Sequence, residues 1–254
     1  MATVAALWRH PIKGHGVEPL AKVLLAAGET LPWDRRWALA QEGARAEDGV
    51  WSPCGNFSRG AKSPRLMAIR ARVNEAAGTV ELRHPEAETI RVNPDLPEDA
   101  ARLVAWAAAL ADPDKPRPAR VLRAPVGMTD SDFPSVSILG TASLAALEAR
   151  MGRPLAQERF RGNVWLDGLP PFGEFDLVGR EIRLGGAVLE VRERIGRCKA
   201  TTVDPETGIS DADTLGALRA GWGAQDFGVY AEVISGGRVA LGDKLGNGFG
   251  DGLA

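Results

Sequence analysis

Glu181-Ile182-Arg183-Leu184-Gly185-Gly186-Ala187-Val188-Leu189-Glu190-Val191 decides the fold class. Two apolar-rich runs meet across a Gly-Gly pair, which is the signature of a β-hairpin. The second run continues to Ile195 and leads into Gly196-Arg197-Cys198-Lys199-Ala200-Thr201-Thr202-Val203-Asp204-Pro205-Glu206-Thr207-Gly208. One of only two cysteines therefore stands at a strand end between two basic residues, with two hydroxyls and a carboxylate following. Neighbouring cations favour the thiolate, the form that attacks electrophiles and binds soft metals. Free cysteine also serves as a small buried hydrophobe, and residue type alone favours that use.

Short strand signals continue on both sides. Val229–Ile234 and Arg238–Leu241 read as a second hairpin across Gly236-Gly237. Val136–Leu139 and Asn163–Leu166 read as strands around a helix over Ala142–Met151, with Thr141 placed to cap it. In the first third, Thr3–Trp8, Val23–Leu25, Trp37–Ala40, Leu66–Val73, Thr79–Arg83 and Thr89–Val92 are strand-like runs between turn formers. Many short strands argue for a barrel or sandwich and against alternating βαβ units. Asp95-Leu96-Pro97-Glu98-Asp99 starts a helix on which Ala100, Leu103, Val104, Ala107 and Leu110 recur at helical spacing. Leu215–Ala220 is a short helix. The proline-rich stretch Asp112–Pro118 reads as a linker, and the tail Gly246–Gly252 as an unstructured end. The expected fold is mainly β with some α (α+β): an N-terminal β-barrel-like module over 1–112, then a second β-barrel over 119–246.

Bulk properties exclude several function classes. The 254 residues carry a formal net charge of -2, which argues against a general nucleic-acid binder. No apolar run approaches the ~18 residues of a membrane span, and Met1–Arg9 lacks the pattern of a secretory signal. Two cysteines far apart in sequence make no disulfide framework, so a reduced, cytoplasmic setting is the default expectation.

Other candidate chemistry is sparser. His10, His15 and His84 match no zinc-ligand spacing, although a cysteine–histidine pair need only meet in space. Lys13-Gly14-His15-Gly16 sets a lysine beside two glycines without the spacing of a phosphate-binding P-loop, and a simple turn explains it. Asp204–Gly208 reads as a turn. Cys54 lies in a turn with no charged neighbour in sequence. Arg161 and Asn163, entering a β-run, are suited to hydrogen-bonding a ligand at a barrel mouth.

These stretches together resemble the MOSC family, named after the C-terminal part of molybdenum-cofactor sulfurase. The resemblance rests on Phe160-Arg161-Gly162-Asn163-Val164, Pro171-Phe172-Gly173-Glu174, Arg197-Cys198 with Thr201–Gly208, Phe227–Ala231 and Leu241-Gly242-Asp243. In the first half it rests on His10-Pro11-Ile12-Lys13 and Asp34-Arg35-Arg36-Trp37, and at the junction on Asp132 with Pro134 and Ala142-Ser143-Leu144. The two-module layout resembles that of the amidoxime-reducing component and its bacterial relatives. The resemblance implies a molybdenum cofactor (molybdopterin), with Cys198 as metal ligand and catalytic centre. It implies Lys13, Arg35 and Arg161 as cofactor anchors, with Asn163 and Arg197 also cofactor-binding. It further implies reduction of small N-hydroxylated substrates. No cysteine cluster for an iron–sulfur centre is present, so electrons would come from a separate reductase. The alternative is a sulfur carrier or sulfurtransferase that forms a persulfide on Cys198. Two positions depart from the family pattern: Gly14 follows the lysine where serine is usual, and Ala61 stands where an arginine is expected. Arg59 or Lys62 would replace that arginine only if the loop shifts.

Overall fold

The computed structural model describes residues 1–124 and 126–248. Its first part runs β1 (Thr3–Arg9), β2 (Ile12–Lys13), β3 (Glu18–Leu20), β4 (Lys22–Leu25), β5 (Trp37–Gln41), β6 (Arg70–Asn74), β7 (Thr79–His84), β8 (Ala87–Val92), α1 (Pro97–Leu110) and β9 (Pro118–Arg123). The second runs β10 (Val136–Gly140), α2 (Thr141–Met151), β11 (Val164–Asp167), β12 (Glu181–Leu184), β13 (Ala187–Gly196), α3 (Thr214–Trp222), β14 (Asp226–Ser235), β15 (Gly237–Ala240) and β16 (Leu245–Asn247). The protein is mainly β with some α, as expected.

Gly185-Gly186 turns the chain, so that Leu184 faces Ala187 and the register runs back to Glu181 opposite Glu190. Alternation then buries Ile182, Leu184, Leu189 and Val191 on one face. That face lines the inside of an eight-stranded sheet of order β16-β12-β13-β14-β10-β11-β1-β3. Register shifts at three places between β13 and β14 bend the sheet, because an extra residue on one strand increases local twist. The sheet curls until the segment entering β16 reaches the start of β1: Val4 N–H donates to Asp243 O (2.8 Å) and Leu245 N–H to Ala2 O (2.9 Å). Leu7, Ile138, Val164, Leu166 and Val229 share its interior.

The first part builds a second core. Sheets β2-β5-β9 and β6-β7-β8 enclose Trp37, Leu39, Leu66, Ile69 and Leu82, and α1 closes them with Leu103, Ala107 and Leu110. Pro97 sits in the first turn of α1 with Glu98 and Asp99, where a missing N–H costs nothing and negative charge suits the helix dipole.

Several local expectations need correction. Leu66–Val73 is not one strand: Pro64–Ala68 is a 3-10 turn that buries three consecutive side chains, and extended chain resumes at Arg70. β14 and β15 do not form a hairpin. β15 pairs instead with β4, Val239 opposite Val23, and Gly237 packs on Gly186, where a Cβ would lie 2.2 Å from backbone. Thr141 does not cap α2; Gly140 occupies the cap position and the Thr141 hydroxyl bonds Asp167 Oδ1 (2.7 Å). Of the tail, Gly246 and Asn247 pair with β12, while 249–252 lie outside the described residues. β10, α2 and β11 form a parallel βαβ unit, which the strand-dominated reading did not anticipate.

Strand pairing also crosses the division drawn at 112–119. β1 joins β11 in the large sheet, and β9 pairs back onto β5. Asp112–Pro118 therefore connects α1 to β9 within the first half. No helix among the described residues is long and apolar enough to cross a membrane.

Candidate functional site

β13 ends at Gly196, and the next residues begin a pocket wall. Arg197 turns inward, nine-tenths buried. Its Nη1 donates to Phe160 O (2.8 Å), its Nε to Phe227 O (2.7 Å), and its Nη2 also to Phe227 O. The guanidinium thus braces two segments whose rings, Phe160 and Phe227, stack at 4.2 Å. Gly228 makes room: at φ +81° its absent Cβ would meet Leu139 at 2.7 Å and Arg197 Nη2 at 3.2 Å. Burial pulls Arg197 down to about 10. With Arg197 held inward, Cys198 is left exposed on the pocket wall. The Thr201 hydroxyl fixes it by donating to Cys198 O (3.1 Å) while bonding Thr214 (2.7 Å).

The opposite wall comes from the first half. Lys13 is 4% exposed, and its Nζ donates to Met128 O (2.8 Å), Thr129 O (3.0 Å) and Asp130 Oδ1 (2.6 Å). Burial lowers its pKa, and Asp130 opposes the shift. Arg35 and Arg161 both adopt left-handed backbone, at φ 50° and 47°, a conformation that costs roughly 1–3 kcal/mol outside glycine. The strain interlocks the halves. Arg35 Nη2 donates to Arg161 O (3.0 Å), and Arg161 donates to Gly16 O (3.1 Å) and Ile12 O (3.2 Å). Beneath Arg35 lies Asp34, 1% exposed, which pairs with Arg35 and accepts from His10 N–H (2.7 Å). Burial alone would raise the Asp34 carboxyl, but Arg35 and His10 hold it well below the usual range. Arg161 has no such partner among the described residues; burial and then Arg35 push it down to about 9.

One cavity of about 300 Å³ joins these walls. Lys13, Arg35, Arg161, Arg197 and Cys198 line it together. Asn163 does not: its Oδ1 accepts from Ser137 N–H and hydroxyl (3.1 and 2.9 Å), and its Nδ2 donates to Trp8 O (3.2 Å). It stands behind Ser137, the residue that lines the cavity.

Other lining residues carried no role in the sequence reading. Tyr230, Asp130 and Arg159 line the cavity, as does Cys54. Arg59 Nη1 donates to Cys54 Sγ (3.0 Å), so this cysteine has the charged neighbour that local sequence lacked. Arg59 lines the cavity, whereas Lys62 turns toward Gln41 (3.3 Å). Gly14 explains the fit, since a Cβ there would lie 2.8 Å from Arg59 Cα. His10 and His15 are fully buried and His84 bonds Arg65 O (3.0 Å); none lines the cavity. Glu174 is buried beside Ser143 (2.7 Å), away from it. The Asp204–Gly208 turn is anchored through Arg159, whose guanidinium also binds Asp211 (2.7 Å).

A β-built, two-part protein with a soft thiol at one end of a cation-lined cavity is defined by these features. The chain belongs to the MOSC family. The MOSC domain matches residues 128–246, and the MOSC N-terminal beta barrel domain matches residues 1–114. It is 26% identical to mitochondrial amidoxime-reducing component 1 of Mus musculus, over 96% of this chain and 82% of that protein. It is 31% identical to mitochondrial amidoxime reducing component 2 of Homo sapiens over 45% of this chain, a match spanning 37% of that protein. Among solved structures, the YUAD protein from Bacillus subtilis aligns with a TM-score of 0.46 at 14% identity, over 96% of this chain and 94% of that one.

Proposed function

We propose that the chain is a molybdenum-cofactor oxidoreductase that reduces N-hydroxylated compounds, with Cys198 as the metal's protein ligand. The observation that carries this reading is the exposed Cys198 thiol sharing one cavity with the partly buried cations Arg35 and Arg161 and the buried Arg197. The donor set fits the group: a thiolate is a soft ligand for the metal, and guanidinium donors suit a phosphate. When bound, such a cofactor supplies a two-electron step at the metal.

The chain's own residues do the rest. Charge on Cys198 faces Arg161 and Arg197, and it favours their charged forms in turn. Arg35 and Arg161 present guanidinium to an anion. Tyr230, pushed up to about 12 by burial and then by Asp130, keeps its proton at neutral pH. It can deliver that proton to oxygen leaving as water. Two cysteines in this chain are too few for a four-cysteine cluster, so we assign electron delivery to a separate reductase.

Protein made in a cofactor-competent host should carry about one molybdenum per chain, and Cys198→Ala should lose both metal and reduction of N-hydroxylated bases. Full activity in that variant would sink the mechanism. An intact mass raised by about 32 Da without metal would instead favour the persulfide carrier.

A further inference from the structure

The cavity's charges are unequally matched. Arg35 is paired with Asp34 and Arg159 with Asp211, and Arg197 is turned onto carbonyl oxygens. Lys13 has three N–H groups and three acceptors at 2.6–3.0 Å, two of them carbonyls and the third Asp130. No N–H of Lys13 is left to meet a ligand. Asp130 is the only acid lining the cavity among the described residues. Its side chain is 53% exposed, and its bond to Lys13 is its single hydrogen bond among those residues. Arg59 is the opposite case. Its Nη1 touches Cys54, and its Nε finds no partner among the described residues although buried.

We propose that loading of this cavity's anion end is an ion exchange: a phosphate-class dianion displaces Asp130 from Lys13 and is received by Arg59. The proposal rests on the reading of this end as a phosphate site. Asp130 is the resident counter-ion that keeps buried Lys13 charged until a ligand arrives. It can swing to solvent because nothing else holds it. Arg59 replaces the arginine that Ala61 lacks, and Gly14 lets its backbone approach closely enough to do so. Removing the Asp130 charge should therefore tighten anion binding, while removing Arg59 should weaken it.

The test is titration of the purified chain with inorganic phosphate, followed through arginine Nε–H resonances. Asp130→Asn should bind phosphate about tenfold tighter than the native chain, and Arg59→Gln about tenfold weaker. Asp130→Glu should match the native affinity. Glu193→Gln removes a nearby exposed acid outside the cavity lining and should change affinity less than about twofold. Thermal melting verifies folding, and Asp130→Ser serves if the asparagine variant does not fold. Equal affinity in the native chain and the charge-removing variant, Asp130→Asn or Asp130→Ser, overturns the exchange, as does equal tightening in Glu193→Gln. If Arg35 and Arg161 resonances still shift in that case, the phosphate site stands without the exchange. If phosphate moves no arginine resonance in any variant, both ideas fall.

Discussion

Arg197 illustrates how a residue can be legible by type while the bracing it also does is hidden from the sequence. Its place beside Cys198 suggested a cation acting on the thiol, yet its N–H groups grip Phe160 O and Phe227 O. The planar fork reaches the two carbonyls from separate nitrogens, a geometry that the single nitrogen of an ammonium does not reproduce. Arg197→Lys should therefore destabilise the fold by about 1–3 kcal/mol in urea unfolding, since a buried carbonyl loses a charge-assisted bond. It should also change the rate at which Cys198 reacts with iodoacetamide. Unchanged stability together with unchanged labelling would refute the bracing role. Cys198 could be picked out from local composition, and Lys13 through the family resemblance alone. Tyr230 and Asp130 could not, because their importance comes from elements distant in sequence converging on one cavity. The left-handed Arg35 and Arg161 were equally hidden: residue type announces that conformation for glycine and not for arginine.

Elements were legible where alternation or helical spacing was strong, as in β12, β13 and α1. Pairing partners were not. β1 looks like the first strand of the first half, but its Leu7 is 1% exposed inside the large sheet, between β11 and β3. A hydrophobic pattern specifies which face is buried and leaves the neighbour open. β15 was misassigned for the same reason, since a glycine pair can turn a strand back or send it onward. The pairing of β1 makes an energetic prediction. Leu7→Ala should cost about 2–5 kcal/mol, and native-state hydrogen exchange should show lost protection in β10, β11 and β14. Protection lost only in β2 to β9 would mean that the N-terminal strand does not support the second half.

Over the whole molecule, the two halves are tied through a buried polar seam, and that seam makes stability depend on pH. His10 is fully buried against Asp34 and near Arg161 and Arg35; burial, then Arg161, lowers it to about 3. His15 is fully buried, its Nδ1 on Lys13 O (2.8 Å), and burial lowers it to about 4. Both fold neutral, whereas the unfolded chain takes up protons on them below about pH 6.5. Their neutral burial is therefore without cost above that pH, and stability falls as pH drops from 6.5 toward 4, where the unfolded state binds more protons. Asp34, held low by Arg35 and His10, adds to the loss only below the usual carboxylate range. Each histidine should contribute about 2 kcal/mol of the decline between pH 7 and 4.5. His15→Asn keeps a donor for Lys13 O and removes one titrating ring. Urea unfolding of that variant should show a decline shallower by about that amount, with the His10 share remaining. A decline identical to that of the native chain would mean that His15 is protonated in the folded protein. The seam around Lys13, Arg35 and Arg161 would then be able to accommodate another positive charge, contrary to its burial and its excess of cations.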